Sequence, residues 1–165
     1  MLRYFGLFYK WGLLTFCTRQ ICRWVGLRLS DAREERPLAA PSQLQRFTEE
    51  ATYLLNHVGM SWWGVHLMPQ EWWRSRSAVW HVAPASDAAL RDFMRQQGCS
   101  WIITGMLCHF VDPRRKDHAQ MMTHHVVTVA LIAGTLYTDD VRVAALTATV
   151  HNISDIGICA MKVLN

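Results

Sequence analysis

The sequence predicts an all-α protein, a multi-pass transmembrane helical bundle that begins with a short interfacial helix. Hydrophobic residues make up 51% of the 165 residues and charged residues 18%, which is too apolar for a disordered chain. Apolar residues recur at helical spacing through most of the chain. Two stretches near the C terminus, residues 118–138 and 141–164, are each long enough to cross a bilayer.

The N-terminal part of the chain, residues 1–36, is predicted to be a basic amphipathic segment. It holds seven Lys/Arg and three acidic residues, and so carries the whole net charge of +4. A basic, aromatic-rich N-terminal segment could bind an anionic membrane surface or a nucleic acid. Segments of this kind more often face a membrane or solvent than bind nucleic acid. Residues 1–29 are expected to form either an interfacial helix or a membrane span interrupted by charges.

The middle of the chain predicts two further helices. Residues 43–68 should form a helix capped by Ser42 and ended by Pro69. Residues 69–87 are expected to be irregular, and they are rich in Trp and Arg, as at a membrane–water interface. The next helix, residues 88–111, has an apolar half of about 13 residues, short of the roughly 20 that a span requires.

The last two helices carry polar residues within apolar surroundings. On helices, residues four apart share a face, so His151 and Asp155 should lie together. Because burying such groups in hydrocarbon is costly, we expect the two helices to pack with their polar faces joined around a histidine site with a carboxylate. The residues concerned are His124, His125, Thr128, His151, Asn152, Ser154 and Asp155.

Two other readings of these residues remain open. A single buried histidine is most often a hydrogen-bonded core residue, although several such groups on consecutive helices make that reading weaker. Three His and one Asp could also bind zinc or iron, but the repeated HxxHH or HxxxH boxes of membrane di-iron enzymes are missing. The five Cys residues form no CxxC pair, which favours reduced thiols over a disulfide framework or a zinc knuckle.

Two blocks of this region resemble the Lag motif of TLC-domain proteins, which include the ceramide synthases. The first resembles the family's RKD…HH block and the second its RxG…HDxSD block, with matching order and spacing. A weaker similarity extends upstream to about residue 19. The residues that carry the motif are Arg115, Lys116, Asp117, Met121, His124, His125 and Thr128, then Arg142, Val143 and Ala144, and then the run His151–Asp155.

The resemblance implies a partial TLC domain over residues 43–165 and a sphingosine N-acyltransferase that transfers a fatty acyl group from acyl-CoA to a sphingoid base. His124 and His125 are then expected to be the reactive pair, supported by His151 and Asp155. No cofactor beyond the co-substrate acyl-CoA and no metal is implied. The further residues expected to bind substrate or support the site are Thr128, Asn152, Ser154, Arg115, Lys116, Asp117 and Arg142.

The family also implies surroundings and partners. We expect a multi-pass protein of the endoplasmic reticulum membrane that contacts membrane lipid and no nucleic acid. A homodimer, or a heterodimer with a related synthase, is among the expected assemblies.

The chain departs from the family pattern at Asn152, where the motif has aspartate, and at His118, Asp139 and Ala144. Asparagine keeps a hydrogen bond but accepts no proton. The sequence ends ten residues after Asp155, so a truncated member is expected. Two alternatives follow, a non-catalytic TLC-like lipid-binding or lipid-sensing protein (or an inactive fragment), and a soluble helical domain with a metal site or a basic binding face.

Overall fold

The computed structural model describes residues 2–31, 41–75, 77–81, 87–112 and 118–164, and all regular structure in these ranges is helical. The predicted all-α class is therefore confirmed. Between the fifth and sixth α-helices the chain forms a π-helical segment, Trp101–Leu107. The α-helices are α1 (Leu2–Asp31), α2 (Pro41–Leu67), α3 (Gln70–Arg74), α4 (Ala78–His81), α5 (Asp87–Ser100), α6 (Cys108–Val111), α7 (His118–Thr138) and α8 (Val141–Leu164).

The predicted helix boundaries agree best at the C-terminal end, where α7 and α8 begin and end as expected. The predicted Ser42 cap is wrong because α2 already begins at Pro41, whose constrained φ suits the first turn of a helix. The region 69–87 is not wholly irregular either. It contains the short helices α3 and α4, which bury Trp72 and Val79 against the core.

The N-terminal helix α1 covers nearly the same residues as the helix expected over residues 1–29. Its 30 residues span about 45 Å at 1.5 Å per residue. It packs against α2 and is also bonded to the helix that follows residue 87. Trp11 Nε1 donates to Gln96 Oε1 at 2.6 Å, and Arg19 pairs with Asp112 at 2.5 Å. It is therefore part of the bundle along much of its length.

The bundle is centred on α2 and α8, which pack most extensively against each other. Gly64 permits this, because a Cβ there would lie 2.1 Å from Thr149 Oγ1. On the other side of α8, α5 contributes Leu90, Phe93 and Met94, all almost completely buried. The expected joining of the polar faces of α7 and α8 is found at the stacked rings of His124 and His151, although the two helices share little other contact. α7 packs chiefly against α5 and the π-helical segment.

The turn between α7 and α8 is a tight one. Asp139 has a φ of 68°, in the left-handed region that Asp and Asn tolerate better than most residues. Two ion pairs anchor this end of the bundle to α5, one between Arg91 and Asp139 and the other between Arg142 and Asp87. The turn returns the chain so that the histidines of α7 and α8 can meet.

One helix in the described ranges, α8, is long and apolar enough to cross a membrane, with a mean hydropathy of 1.3. Large apolar side chains project outward from α7 and α8, among them Val127, Leu131, Val150 and Ile153. Contiguous exposed apolar surface of this kind is unusual for a soluble monomer.

Candidate functional site

A cavity of about 330 Å³ lies between α2, the π-helical segment, α7 and α8. Its surface is mainly apolar, but its polar members include four titratable side chains of the sequence motif, namely His124, His125, His151 and Asp155. The residues that line it include His57, Trp101, Thr104, Gly105, His109, Met121, His124, His125, His151, Asp155 and Ile158.

Trp101 is the centre of the histidine cluster. Its ring centroid lies 5.9 Å from that of His57, 5.7 Å from His124, 5.2 Å from His125 and 5.4 Å from His151. The indole is 6% exposed and begins the π-helical segment. Such widened turns recur at functional sites, and here the widened turn places one aromatic ring against histidines from three other helices.

The two halves of the sequence motif meet at His124 and His151. Their rings are stacked, with centroids 5.4 Å apart and an interplanar angle of 15°. His125 is the neighbour of His124, at a ring distance of 5.6 Å, but successive helical residues point about 100° apart. His125 is therefore turned into the bundle, where it is 7% exposed.

Gly105 makes room for His125. A Cβ at this position would lie 3.0 Å from His125 Nδ1 and 3.2 Å from its Cγ, closer than ordinary van der Waals contact. The Nδ1 atom itself has no hydrogen-bond partner among the described residues. Close backbone approach is a common reason for glycine inside a helix, and here it fixes the imidazole against the π-helical segment.

Asp155 supplies the carboxylate of the site. Its Oδ2 atom lies 3.1 Å from His151 Nδ1, one helical turn away, as the sequence spacing predicts. The same oxygen lies 3.8 Å from His57 Nε2 on α2. A carboxylate beside a ring nitrogen orients the imidazole and stabilises its protonated form, so both histidines are placed to use it.

Asn152 lies behind the cavity rather than in its wall. It is completely buried, and its Oδ1 atom is 2.9 Å from His57 Nδ1. Gln97 Nε2 on α5 donates to the same oxygen at 3.1 Å. The residue that departs from the family motif thus connects α8 with α2 and α5.

Three of the predicted supporting residues point away from the site. Thr128 and Ser154 donate to backbone oxygens of their own helices, at 2.8 and 2.7 Å. Arg142 binds Asp87 at the far end of α8. The remaining three predicted supporting residues lie outside the described residues, and they are Arg115, Lys116 and Asp117.

Two residues of the cluster were missed by the sequence reasoning, namely His57 and Trp101. His57 lies in the largely apolar half of α2, and a polar residue on an apolar helix was the available signal. Trp101 carries no such signal, because the sequence has eight Trp residues and most suit a core or a membrane interface equally well.

A second pair of histidines lies beside the cluster, and one of them, His109, lines the cavity. The rings of His109 and His118 are stacked at 4.5 Å, and His109 lies 5.8 Å from His125. At one side of the cavity, Lys162 Nζ lies 3.7 Å from Glu50 Oε1. Within the described ranges, no three His, Cys, Asp or Glu side chains are arranged to hold a metal ion.

The chemistry open to this arrangement is proton transfer and nucleophilic attack by imidazole. A neutral imidazole can take a proton from an amine or can hold an acyl group. The surface of the cavity is mainly apolar, and of the two neighbouring histidines His125 is buried whereas His124 is exposed.

Comparison with known proteins identifies relatives. Sphingosine N-acyltransferase lac1 of Schizosaccharomyces pombe is 26% identical over 98% of this chain and 42% of its own length. Ceramide synthase 5 of Homo sapiens is 27% identical over 81% of the chain and 34% of its own length. Ceramide synthase LOH2 of Arabidopsis thaliana is 26% identical over 79% of the chain and 43% of its own length.

The chain thus spans less than half the length of each of these relatives. No solved structure matches it at a significant level. The family model described as the TLC domain matches residues 46–165, and because this is well over half of the sequence, the chain belongs to the TLC-domain family.

Proposed function

We propose that the chain acts as a sphingosine N-acyltransferase of the ceramide synthase type. The observation that carries the proposal is the meeting of His124, His125, His151 and Asp155 at one mainly apolar cavity. The relatives named as ceramide synthases and sphingosine N-acyltransferases support the choice of reaction. The chain covers 42% and 34% of these two relatives, so the activity of the whole proteins is a proposal for this chain.

In the proposed reaction, the amine nitrogen of a sphingoid base attacks the thioester carbonyl carbon of a fatty acyl-CoA. A C–N bond forms and the C–S bond breaks. One imidazole of the pair His124 and His125 takes the proton from the nitrogen and returns it to the departing thiolate, which leaves as the CoA thiol. His151, oriented by Asp155, stacks on His124 and supports its ring. The co-substrate is acyl-CoA, and no further cofactor takes part.

The proposed setting is a multi-pass bundle in the membrane of the endoplasmic reticulum. The apolar α8 and the exposed apolar side chains of α7 support a membrane location. A cavity that opens between helices at membrane depth would admit two long-chain substrates directly from the bilayer. A dimer with a second copy or with a related synthase belongs to the same proposal.

The test is acyl transfer by membranes that contain the full chain. Microsomes are incubated with acyl-CoA and a sphingoid base, and the N-acyl product is measured by mass spectrometry. We expect His124→Ala and His125→Ala each to reduce the rate at least about 100-fold, as removal of a general base or nucleophile does. The control is His66→Ala, because His66 is exposed on α2 and bonded to the Trp62 carbonyl oxygen. Full activity in both site variants would refute the assignment of these residues.

A second candidate function is binding of sphingoid or acyl lipid without turnover. Asn152 favours it, since an amide stands where the family motif has a carboxylate. This candidate predicts lipid binding by the unaltered chain, no amide formation, and turnover gained in Asn152→Asp. Turnover by the unaltered chain would exclude it.

A further inference from the structure

We propose that His57 is a positioning residue of this site, which together with Asn152 holds the Asp155 carboxylate against His151. The inference rests on the proposed function and adds to it a residue outside the sequence motif. His57 comes from α2, 95 positions before Asn152, and it is 8% exposed.

The hydrogen bonds of Asn152 determine which nitrogen of His57 carries the hydrogen. Gln97 Nε2 donates to Asn152 Oδ1, so this oxygen acts as an acceptor. With Oδ1 as the acceptor, His57 Nδ1, 2.9 Å from the same oxygen, is the second donor, because an amide oxygen has two acceptor positions and no hydrogen. The ring is thereby fixed with Nδ1–H towards Asn152.

His57 Nε2 is left to face Asp155. It lies 3.8 Å from Asp155 Oδ2, the oxygen that is also 3.1 Å from His151 Nδ1. Because Nδ1–H stays with Asn152, His57 gains and loses a proton only at Nε2. The single carboxylate oxygen thus lies between two ring nitrogens from two different helices, at hydrogen-bond distance from His151 and at ion-pair distance from His57.

The amide at position 152 suits this role better than a carboxylate would. With Asn152, the carboxylate that faces His57 is that of Asp155. An aspartate at 152 would accept the same Nδ1–H with a full negative charge and would compete with Asp155 for the imidazolium. We therefore interpret Asn152 and His57 as a functional pair. Asn152 replaces the aspartate of the family motif, and His57 on α2 is the hydrogen-bond partner of this asparagine.

Three substitutions at His57 separate its two nitrogens. Gln places an amide near the Nε2 position, Asn places one near the Nδ1 position, and Phe keeps the ring size without either. We expect Phe and Asn to lower kcat for amide formation by about 10- to 100-fold, the range seen when a partner of a site histidine is removed. Gln should recover at least about a third of the unaltered kcat, and the KM for acyl-CoA should change by less than about two-fold in all three.

The matched control is His66→Gln on the same helix, which should leave kcat unchanged. Equal losses in the Gln and Asn variants would point to a purely structural role and would overturn the inference. So would an unaltered kcat in the Phe variant. In either case turnover by the unaltered chain would leave the proposed function standing.

A second measurement does not depend on turnover. A double-mutant cycle combines His57→Phe with Asp155→Asn, and thermal unfolding is followed in detergent. If the two side chains are coupled, the combined Tm shift should differ from the sum of the single shifts by at least about 2 °C. Additive shifts would overturn the inference. If the Tm shifts show coupling but the unaltered chain forms no amide, the positioning role of His57 is supported and only the proposed function is refuted.

Discussion

At the scale of single residues, the site depends on close approaches that allow little adjustment. His125 is held between Trp101 and the backbone of Gly105. His151 and His57 share one oxygen of Asp155. The contacts of His125 with Trp101 and of His57 with Asp155 join residues from different helices, so small displacements of a ring change the geometry of the cluster as a whole.

Gly105→Ala is expected to impair acyl transfer without unfolding the protein. Alanine normally stabilises a helix relative to glycine by roughly 0.5–1 kcal/mol. Here its Cβ would lie 3.0 Å from His125 Nδ1, so the imidazole must move by a few tenths of an ångström. Because a small misplacement can cost about 100-fold in rate, we expect a loss of at least about ten-fold in kcat.

The control for this change is Gly134→Ala on α7, where the added Cβ meets no atom within 4 Å. Turnover in membranes and Tm are measured for both variants. Unaltered turnover in Gly105→Ala would show that the reaction tolerates displacement of the His125 ring.

At the scale of elements, the close packing of α2 on α8 supports the site. This contact brings His57 to Asn152 and Asp155, and Gly64 opposite Thr149 is the point of closest approach. The periodicity of apolar residues predicted where α2 and α8 lie in the sequence. It does not specify which helices pack against each other. That choice depends on complementary side-chain volumes in residues far apart in the chain.

Gly64→Ala is expected to destabilise the bundle. The new Cβ would lie 2.1 Å from Thr149 Oγ1 and 3.0 Å from its Cβ, and Thr149 is completely buried. Overpacking of this kind lowers the free energy of unfolding by about 1–3 kcal/mol. Thermal unfolding in detergent should therefore show a Tm several degrees lower, at about 2–4 °C per kcal/mol.

Gly59→Ala provides the comparison on the same helix, because its Cβ would meet no atom within 4 Å. This variant should match or exceed the stability of the unaltered chain by up to about 1 kcal/mol. Adding Thr149→Ala to Gly64→Ala should restore part of the lost Tm. Equal Tm values for the two glycine variants would contradict the packing of α2 on α8.

At the scale of the whole molecule, the interior holds buried polar side chains beside an apolar core, and many large apolar side chains face outward. The cavity collects histidines and carboxylates, whereas Val127, Leu131 and Ile153 are turned outward. Outward apolar side chains on these two helices, together with a buried polar cluster, are typical of a bundle whose surroundings are hydrocarbon.

A charge on the outer face of α8 is expected to reduce membrane association. Ile153, near the middle of α8, is 45% exposed, and Ile153→Arg would place a guanidinium in hydrocarbon at a cost of about 2.5–3.5 kcal/mol. The unaltered chain should stay in the membrane pellet after extraction with alkaline carbonate, and the variant should be partly released. Leu164→Arg at the helix end should be retained, because its side chain can reach the interface. Complete release of the unaltered chain would refute the membrane bundle.

The sequence by itself determined the all-α class, the limits of α7 and α8, and the presence of a histidine and carboxylate motif. These features are local, because helical periodicity and i, i+4 spacing act within a few turns of one helix. The stacking of His124 on His151 and the contact of His151 with Asp155 follow from that local order once α7 and α8 are joined by a tight turn.

Only the tertiary structure decided that α2, rather than α7, is the main partner of α8, and that His57 and Trp101 complete the cluster. The physical reason is the distance along the chain. His57 and Asn152 are 95 residues apart, and their contact depends on the packing of whole helices around Gly64. The motif that predicted a shared polar face between two consecutive helices thus belongs to a site built from four parts of the chain.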